Sequence, residues 1–470
     1  MVLRIAVLFA CLAASTLPAQ WIALTPATSP PARSGACLAG DLTTSSAILF
    51  GGVGGGFAQF NDTWRFDGTA WTQLSPLSSP APKFYADLVY DMARGVYVMY
   101  GGNATYTSPG TNQTWEFDGV TWTQRFPANN PGNLGLHAMT YDAARSCVVL
   151  YGGMPGGNPI VDSNQTWEYD GTNWTQRSPA TNPGRLEAHS MCYHASQGLS
   201  ILFGGVNATS GASFPVDSDK TWAWNGTNWS ELPVVGPRPP VRERARLAYD
   251  LQRDVSVLVG GMHYSNGQPR NDTWELRKNG AFWSWTLVPT PGVPANFYRF
   301  TSTLAWLPAI GGGGPGLVQF GGLRGSVTFY GDTWKYDNPA SVAPTGAGCT
   351  GTNGVPALTA TGLPRTGAPF TLQASNLHPS FNLAVLVLGL VPLPGIDLGP
   401  LLGMTGCSAW QTPDLLLTMT SGTGGTAQWT WSPVTAAAGG VLYGQALCFD
   451  PTVNPFGFTV SNGVVATIGY

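Results

Sequence analysis

Charge is scarce in this chain: Asp, Glu, Lys and Arg supply 10% of its 470 residues, against about a quarter in ordinary globular proteins. The formal net charge is −3, so no electrostatic footprint points to nucleic acid or an anionic membrane as a partner. Histidine is rarer still, at five. That leaves few bases for nucleophilic catalysis, and no Gly-x-Ser-x-Gly elbow occurs. The seven cysteines include no Cys-x-x-Cys spacing, so a structural zinc site is not expected. Long apolar runs are missing too. "LAVLVLGLVPL" at 383–393 is too short to cross a bilayer, contains Pro392, and reads as a buried strand.

Turn residues and large aromatics are abundant. Gly 61 and Pro 38 stand beside Trp 18 and Tyr 16, a turn-rich chain that buries large apolar surfaces and is not disordered. Residues 1–20, "MVLRIAVLFACLAASTLPAQ", place Arg4 before a short apolar core and small residues near Ala19. This is a signal-peptide layout, predicting a secreted, periplasmic or cell-surface protein. Leu8-Phe9-Ala10-Cys11 resembles a lipoprotein box, but it leaves too short an apolar core, and Cys11 is read as part of the removed segment.

The main signal is internal repetition. A short apolar strand ending in Gly-Gly recurs at 47–52, 96–102, 147–153, 199–205, 255–261 and 317–322. Each copy is followed by a Thr-Trp strand, with Trp64, Trp115, Trp167, Trp222, Trp274 and Trp334 spaced 51, 52, 55, 52 and 60 residues apart. A period near 50 with four short strands per unit is the pattern of a β-propeller blade. In each unit, strand A precedes the Gly-Gly strand B, C carries Thr-Trp, and D is led by a second Trp. Asp-Gly or Asn-Gly between C and D predicts tight hairpins with both turn residues at positive φ. Asp91…Arg94, Asp142…Arg145 and Asp250…Arg253 recur between A and B and are read as structural turn caps.

The sixth copy has no Trp-led strand D; Pro339 and Pro344 follow its Thr-Trp strand instead. The missing piece aligns with "QWIALTPATSPPARSG" at 20–35, so Trp21 is expected to lead the last strand of unit six and close the ring.

These six copies resemble the Kelch repeat over about residues 21–338. The resemblance implies a six-bladed Kelch-like propeller closed by the N-terminal strand, whose D-to-A and B-to-C loops share one binding face around the channel mouth. That face would carry Arg185, Glu187, Arg242, Arg244, Arg246, Tyr298, Arg299, Phe84, Tyr85, Tyr106, His263 and Tyr264. Aromatics beside Arg suit a sugar or a peptide carboxylate. His137 and His189 hold equivalent places in successive A strands, where other units have Ala36, Ala86 and Ala245. Kelch propellers include copper-radical oxidases with two His and Tyr ligands, but no local pattern here identifies such a set. A repeat-consensus His bonding a neighbouring loop is the favoured reading, and no metal or cofactor is expected. Glu187 and Glu243 could form a carboxylate pair. "DGTNW" at 170–174 fails the sialidase-box spacing and is a hairpin turn.

Residues 339–356 read as a Pro- and Gly-rich linker, and 357–470 as an antiparallel β-sandwich-like module with six to eight strands. It resembles terminal modules of secreted bacterial repeat proteins. A final hairpin about Asn462-Gly463 is expected. Cys349 and Cys407, both in Gly-flanked loops, are the preferred disulfide, whereas Cys37, Cys147 and Cys192 lie within strands and read as buried thiols. The expected function is non-catalytic binding of an extracellular glycan or protein by a monomeric propeller. The alternatives are a galactose-oxidase-like or other carbohydrate-active enzyme at the channel mouth, and a structural cell-envelope protein.

Overall fold

The structure is a computed structural model that describes residues 20–105, 108–156, 161–207, 216–288, 297–311, 314–325, 327–337, 341–345, 348–350, 353–361, 364, 370–378, 380–390, 392–398, 408–411, 413–422, 425–431, 441–452 and 458–467. The fold is all-β. Helical structure among the described residues is confined to short 3-10 turns, such as Gly55–Phe57 and Ala195–Gln197, and no helix is long and apolar enough to cross a membrane. Ala19–Asp337 forms one compact unit, and Asn338–Tyr470 belongs to a second. Of the signal peptide expected over 1–20, residues 1–19 lie outside the described residues, as do Tyr106 and Cys407, while Gln20 opens the strand Gln20–Leu24.

In the first unit, antiparallel sheets of four strands follow one another, consistent with blade-like repeats. Cys37–Asp41, Ser46–Phe50, Thr63–Phe66 and Trp71–Leu74 make the first sheet. The second is Phe84–Asp91, Val96–Asn103, Thr114–Phe117 and Trp122–Arg125. The third runs Ala138–Asp142, Cys147–Tyr151, Thr166–Tyr169 and Trp174–Arg177. The fourth is Ser190–His194, Leu199–Phe203, Thr221–Trp224 and Trp229–Glu231. The fifth is Arg246–Asp250, Val255–Val259, Thr273–Asn279 and Phe282–Val288, with Val234–Val235 added in parallel. In the sixth, Thr303–Leu307, Gly316–Arg324 and Thr328–Asp337 are joined by Gln20–Leu24, which pairs antiparallel with Trp21 opposite Tyr336.

The second strands are mostly apolar and almost wholly buried because both faces of each sheet are covered. Ile48 and Phe50 of the first sheet pack with Met99, Phe117 and Trp122 of the second. On its other face the first sheet sets Phe66 and Trp71 against Ala305, Val318 and Phe320 of the sixth.

Three sets of hydrogen bonds repeat from sheet to sheet, and each returns to its start. In the first set, the N–H groups of Tyr85, Leu136, Ala188, Arg244 and Thr301 each donate to the carbonyl of the corresponding residue one sheet earlier, beginning with Gly35. Gly35 N–H then donates to Thr301 C=O at 3.0 Å. The second set is made by the D-strand tryptophans. Trp71, Trp122, Trp174, Trp229, Trp285 and Trp21 donate their indole N–H to Thr333, Thr63, Thr114, Thr166, Thr221 and Thr273 at 2.9–3.0 Å. These acceptors are the threonines of the Thr-Trp motif, and all are buried. In the third set, the second glycine of each Gly-Gly pair (Gly52, Gly102, Gly153, Gly205, Gly261, Gly322) donates to Lys83, Leu134, Leu186, Arg242, Arg299 and Arg33 carbonyls of the next loop. A Cβ on the first glycine, such as Gly51 or Gly101, would stand 2.4 Å from that same carbonyl. The Gly-Gly motif is therefore a close approach between neighbouring units as well as a turn.

The A-to-B turns hold as expected. Asp91 Oδ1 accepts the N–H groups of Ala93 and Arg94 at 3.1 Å, and Arg94 Nε donates to Asp91 Oδ2 at 2.7 Å. Asp142/Arg145 and Asp250/Arg253 repeat this, and the three arginines reach on to Glu116, Glu168 and Glu275 of the third strands. The C-to-D hairpins differ from expectation. Only the glycine takes positive φ (Gly68 at 90°), while Asp67 instead accepts the N–H groups of Thr69 and Ala70 through its carboxylate.

In the second unit, Ser341–Thr345, Phe458–Thr467, Val441–Phe449, Ala384–Gly389 and Leu415–Thr418 form one sheet, and Ala357–Thr361, Phe370–Ser375, Ala427–Trp431 and Thr420–Ser421 another. Leu358, Phe370 and Leu372 of the second meet Leu386, Ala446 and Val464 of the first in a common apolar core. The hairpin expected about Asn462-Gly463 is not formed: Phe458–Thr467 is one strand, irregular near the Gln445–Leu447 pairing. Asn462 turns its amide sideways instead, accepting Leu358 N–H at 2.8 Å and donating to Leu358 C=O at 3.2 Å, a partner the turn prediction did not consider. Cys349 is disulfide-bonded.

Replacing Thr114 with Val keeps the shape but leaves the buried Trp174 indole N–H without its acceptor. A loss of about 1–3 kcal/mol is expected from urea unfolding of the T114V variant.

Candidate functional site: the channel between the first strands

The first strands of all six sheets line a common cavity of about 320 Å3, within the size range of small-molecule sites. Their walls are mostly apolar. Tyr90, Tyr141, Tyr193, Tyr249 and Trp306 hold one repeat position and form an aromatic collar, with Gly40 at the sixth place. Beyond the collar the lining reaches the A-to-B turns, where Met92 and Leu251 are exposed. This end of the cavity therefore meets solvent.

Asp87 and Arg246 are the only charged residues of the lining. They occupy equivalent positions in the second and fifth first strands; the other four units place Cys37, Ala138, Ser190 and Thr303 there. Asp87 accepts Met139 N–H at 2.7 Å and Leu88 N–H at 3.0 Å. Burial raises its pKa, and the Arg246 charge offsets this only in part. Arg246 donates through Nε to Ser302 C=O at 2.8 Å.

Arg246 also lines a second, smaller cavity of about 30 Å3, together with Tyr85, His137, His189 and Arg244. The backbone ring of Gly35, Tyr85, Leu136, Ala188, Arg244 and Thr301 lies here. The five non-glycine members have φ between 53° and 58°, a left-handed conformation that costs on the order of 1 kcal/mol each. Across the ring, Arg244 Nη1 donates to Tyr85 Oη at 3.2 Å, and its guanidinium lies 5.4 Å from the Tyr85 ring centre. These two side chains link the second and fifth units over this end of the channel.

His137 and His189 are thus brought together, but as packed side chains. They meet Tyr100 and Tyr151 edge-on at 5.7 and 5.6 Å. Among the described residues no hydrogen bond of normal geometry reaches a nitrogen of either ring, although the Tyr151 backbone interacts with His189 and partly opposes the effect of burial. Burial lowers both pKa values to about 3, so both imidazoles are neutral. The adjoining 30 Å3 cavity has room for a bridging water.

The other predicted loop residues divide into two groups. Glu187, Glu243 and Asp162 gather near Arg244, whose Nε lies 3.5 Å from Glu243 Oε2. Burial, then the Asp162 charge, pushes Glu187 up to about 8. Arg185 donates to Asp162 C=O at 2.6 Å. The second group lies apart from the channel. Arg242 and Arg299 are fully buried and clamp Asp272 and Asp332 with paired bonds of 2.6–2.9 Å, as Arg33 clamps Asp62. They act as frame. Tyr298 faces the Arg324 guanidinium at 5.8 Å, and His263 Nδ1 lies 3.1 Å from Ser265 Oγ within its own loop.

Among the described residues no three His, Cys, Asp or Glu side chains are placed to hold one metal ion, the Glu187, Glu243 and Asp162 group included. The thiols of Cys37, Cys147 and Cys192 are buried, and burial pushes each up to about 12. Asp87 was missed from sequence. Its signal was a lone acid in an apolar strand, at the repeat position where another unit has a lone Arg. The chain matches no protein-family model and no curated protein.

Two pH effects follow, opposite in sign. The histidines favour the folded state above about pH 6.5 and destabilise it as pH falls towards 3, since the unfolded chain takes up their protons first. The double variant H137A/H189A should therefore lose less melting temperature than the wild type between pH 6.5 and 4.5. Glu187 keeps its proton in the folded state up to about pH 8, so its contribution falls as pH rises from about 4.5 to 8. Stability of Glu187→Gln relative to the wild type should increase across that range in pH-dependent thermal melts.

Proposed function

We propose that this chain is an exported ligand-binding protein: a six-bladed Kelch-like propeller closed by its N-terminal strand, with an antiparallel β-sandwich-like module after it. The three hydrogen-bond sets that return to their start support the six-fold ring, as does the pairing of Gln20–Leu24 with Thr328–Asp337. The two sheets sharing one core support the sandwich reading. Export is supported by the Arg4-led apolar N-terminus and by the disulfide at Cys349.

The observation that carries the function is the 320 Å3 channel cavity, apolar-walled, with two convergent charged groups and access past Met92 and Leu251. The loop-face arginines Arg242 and Arg299 are engaged in the frame, so the channel is the stronger site. Neutral, packed histidines and fully protonated thiols favour binding over nucleophilic chemistry.

A small neutral aromatic such as indole should bind the wild type saturably in calorimetric titration. Ala143 lies exposed on the cavity rim. Ala143→Trp should weaken indole binding at least tenfold while the melting curve is preserved. Equal binding by A143W, or no saturable binding of either a neutral or a charged aromatic, would sink the channel reading.

A further inference from the structure

We propose that the channel takes a zwitterion with an apolar body, of the class of free hydrophobic amino acids, its carboxylate on Arg246 and its ammonium group on Asp87. This rests on the reading of the channel as a binding cavity and adds the chemistry of what it holds.

Arg246 is held by one bond, from Nε to Ser302 C=O at 2.8 Å. That bond orients the guanidinium fork and leaves both Nη groups without a hydrogen-bond partner among the described residues. No carboxylate among those residues lies within ion-pair distance of it. A half-buried guanidinium with its paired donors open is shaped for bidentate capture of a carboxylate.

Asp87 is fixed from the opposite side. Its two oxygens accept from Met139 and Leu88 N–H, which sets the carboxylate in place and leaves further lone pairs unused. The carboxylate pays a desolvation penalty that Arg246, too distant for an ion pair, compensates only partly. A cation placed next to it would complete that compensation.

The two groups come from the second and fifth sheets, the same two whose Tyr85 and Arg244 meet across the ring. Their charges cancel over the cavity as a whole. A ligand with one charge would satisfy one group and leave the other partly buried and unpaired, which is costly. A ligand with both signs satisfies both. The aromatic collar then covers an apolar side chain, and no third charged group lines the wall.

The test is calorimetric titration of the full chain with L-phenylalanine, 3-phenylpropionate, phenethylamine and indole. L-Phenylalanine should bind at least tenfold more tightly than either singly charged analogue. Arg246→Gln should cost at least tenfold for L-phenylalanine and leave phenethylamine unchanged. Asp87→Asn should do the converse, sparing 3-phenylpropionate. Melting curves report whether each variant folds, and the ligand series on the wild type decides the matter without them. If indole binds but L-phenylalanine binds no better than its analogues, the zwitterion proposal is overturned and the channel reading stands. L-Phenylalanine selectivity unmoved in both folded variants overturns it as well. If neither indole nor L-phenylalanine binds, both readings fall.

Discussion

Six backbone hydrogen bonds, one per unit, hold the centre of the repeat region. They join Gly35, Tyr85, Leu136, Ala188, Arg244 and Thr301 head to tail, and five of these residues accept left-handed backbone strain to make them. Such strain persists only where surroundings over-determine the conformation. Here the determinants are the two outer sets: the glycine N–H bonds to the next loop, and the indole N–H bonds to the motif threonines. Each set ties every unit to a neighbouring one at a different point along its strands. Together they leave the inner strands little freedom to close on one another and fill the space between them.

That constraint explains why a cavity persists in a chain so rich in apolar residues. First-strand side chains alternate into the cores on either side, as Leu38 and Ala39 do, and the strand edge is left along the channel. The collar aromatics and the first-strand side chains around them furnish the interior. At the repeat position where Cys37 and Ala138 pack into the apolar cores, the second and fifth units place Asp87 and Arg246 in the lining instead.

The repeat frame was legible in the sequence because its parts are periodic. Gly-Gly, Thr-Trp and the D-strand Trp each recur six times, and the orphan Trp21 could be assigned to Thr328–Asp337 from the count alone. The A-to-B turns were legible for the same reason. The reading went astray where a residue's partner is distant and aperiodic. Asn462-Gly463 carries a turn signal, yet Asn462 bonds Leu358 across the sheets and the strand runs on. Arg242 and Arg299 looked like binding residues on the loop face because Asp272 and Asp332, thirty or more residues away, were not visible as partners.

Sequence by itself determined the all-β class, the repeat period near 50 and the A-to-B turn caps, because each follows from local period and turn chemistry. It also assembled His137, His189, Arg244 and Arg246 as candidates. Tertiary structure alone decided what they became: two neutral packed imidazoles, a guanidinium tied to Tyr85 across the ring, and one open to the channel that Asp87 also lines. The physical reason is that charge state and reach depend on burial and on groups brought close from other units. Neither is encoded in the spacing of residues along one strand.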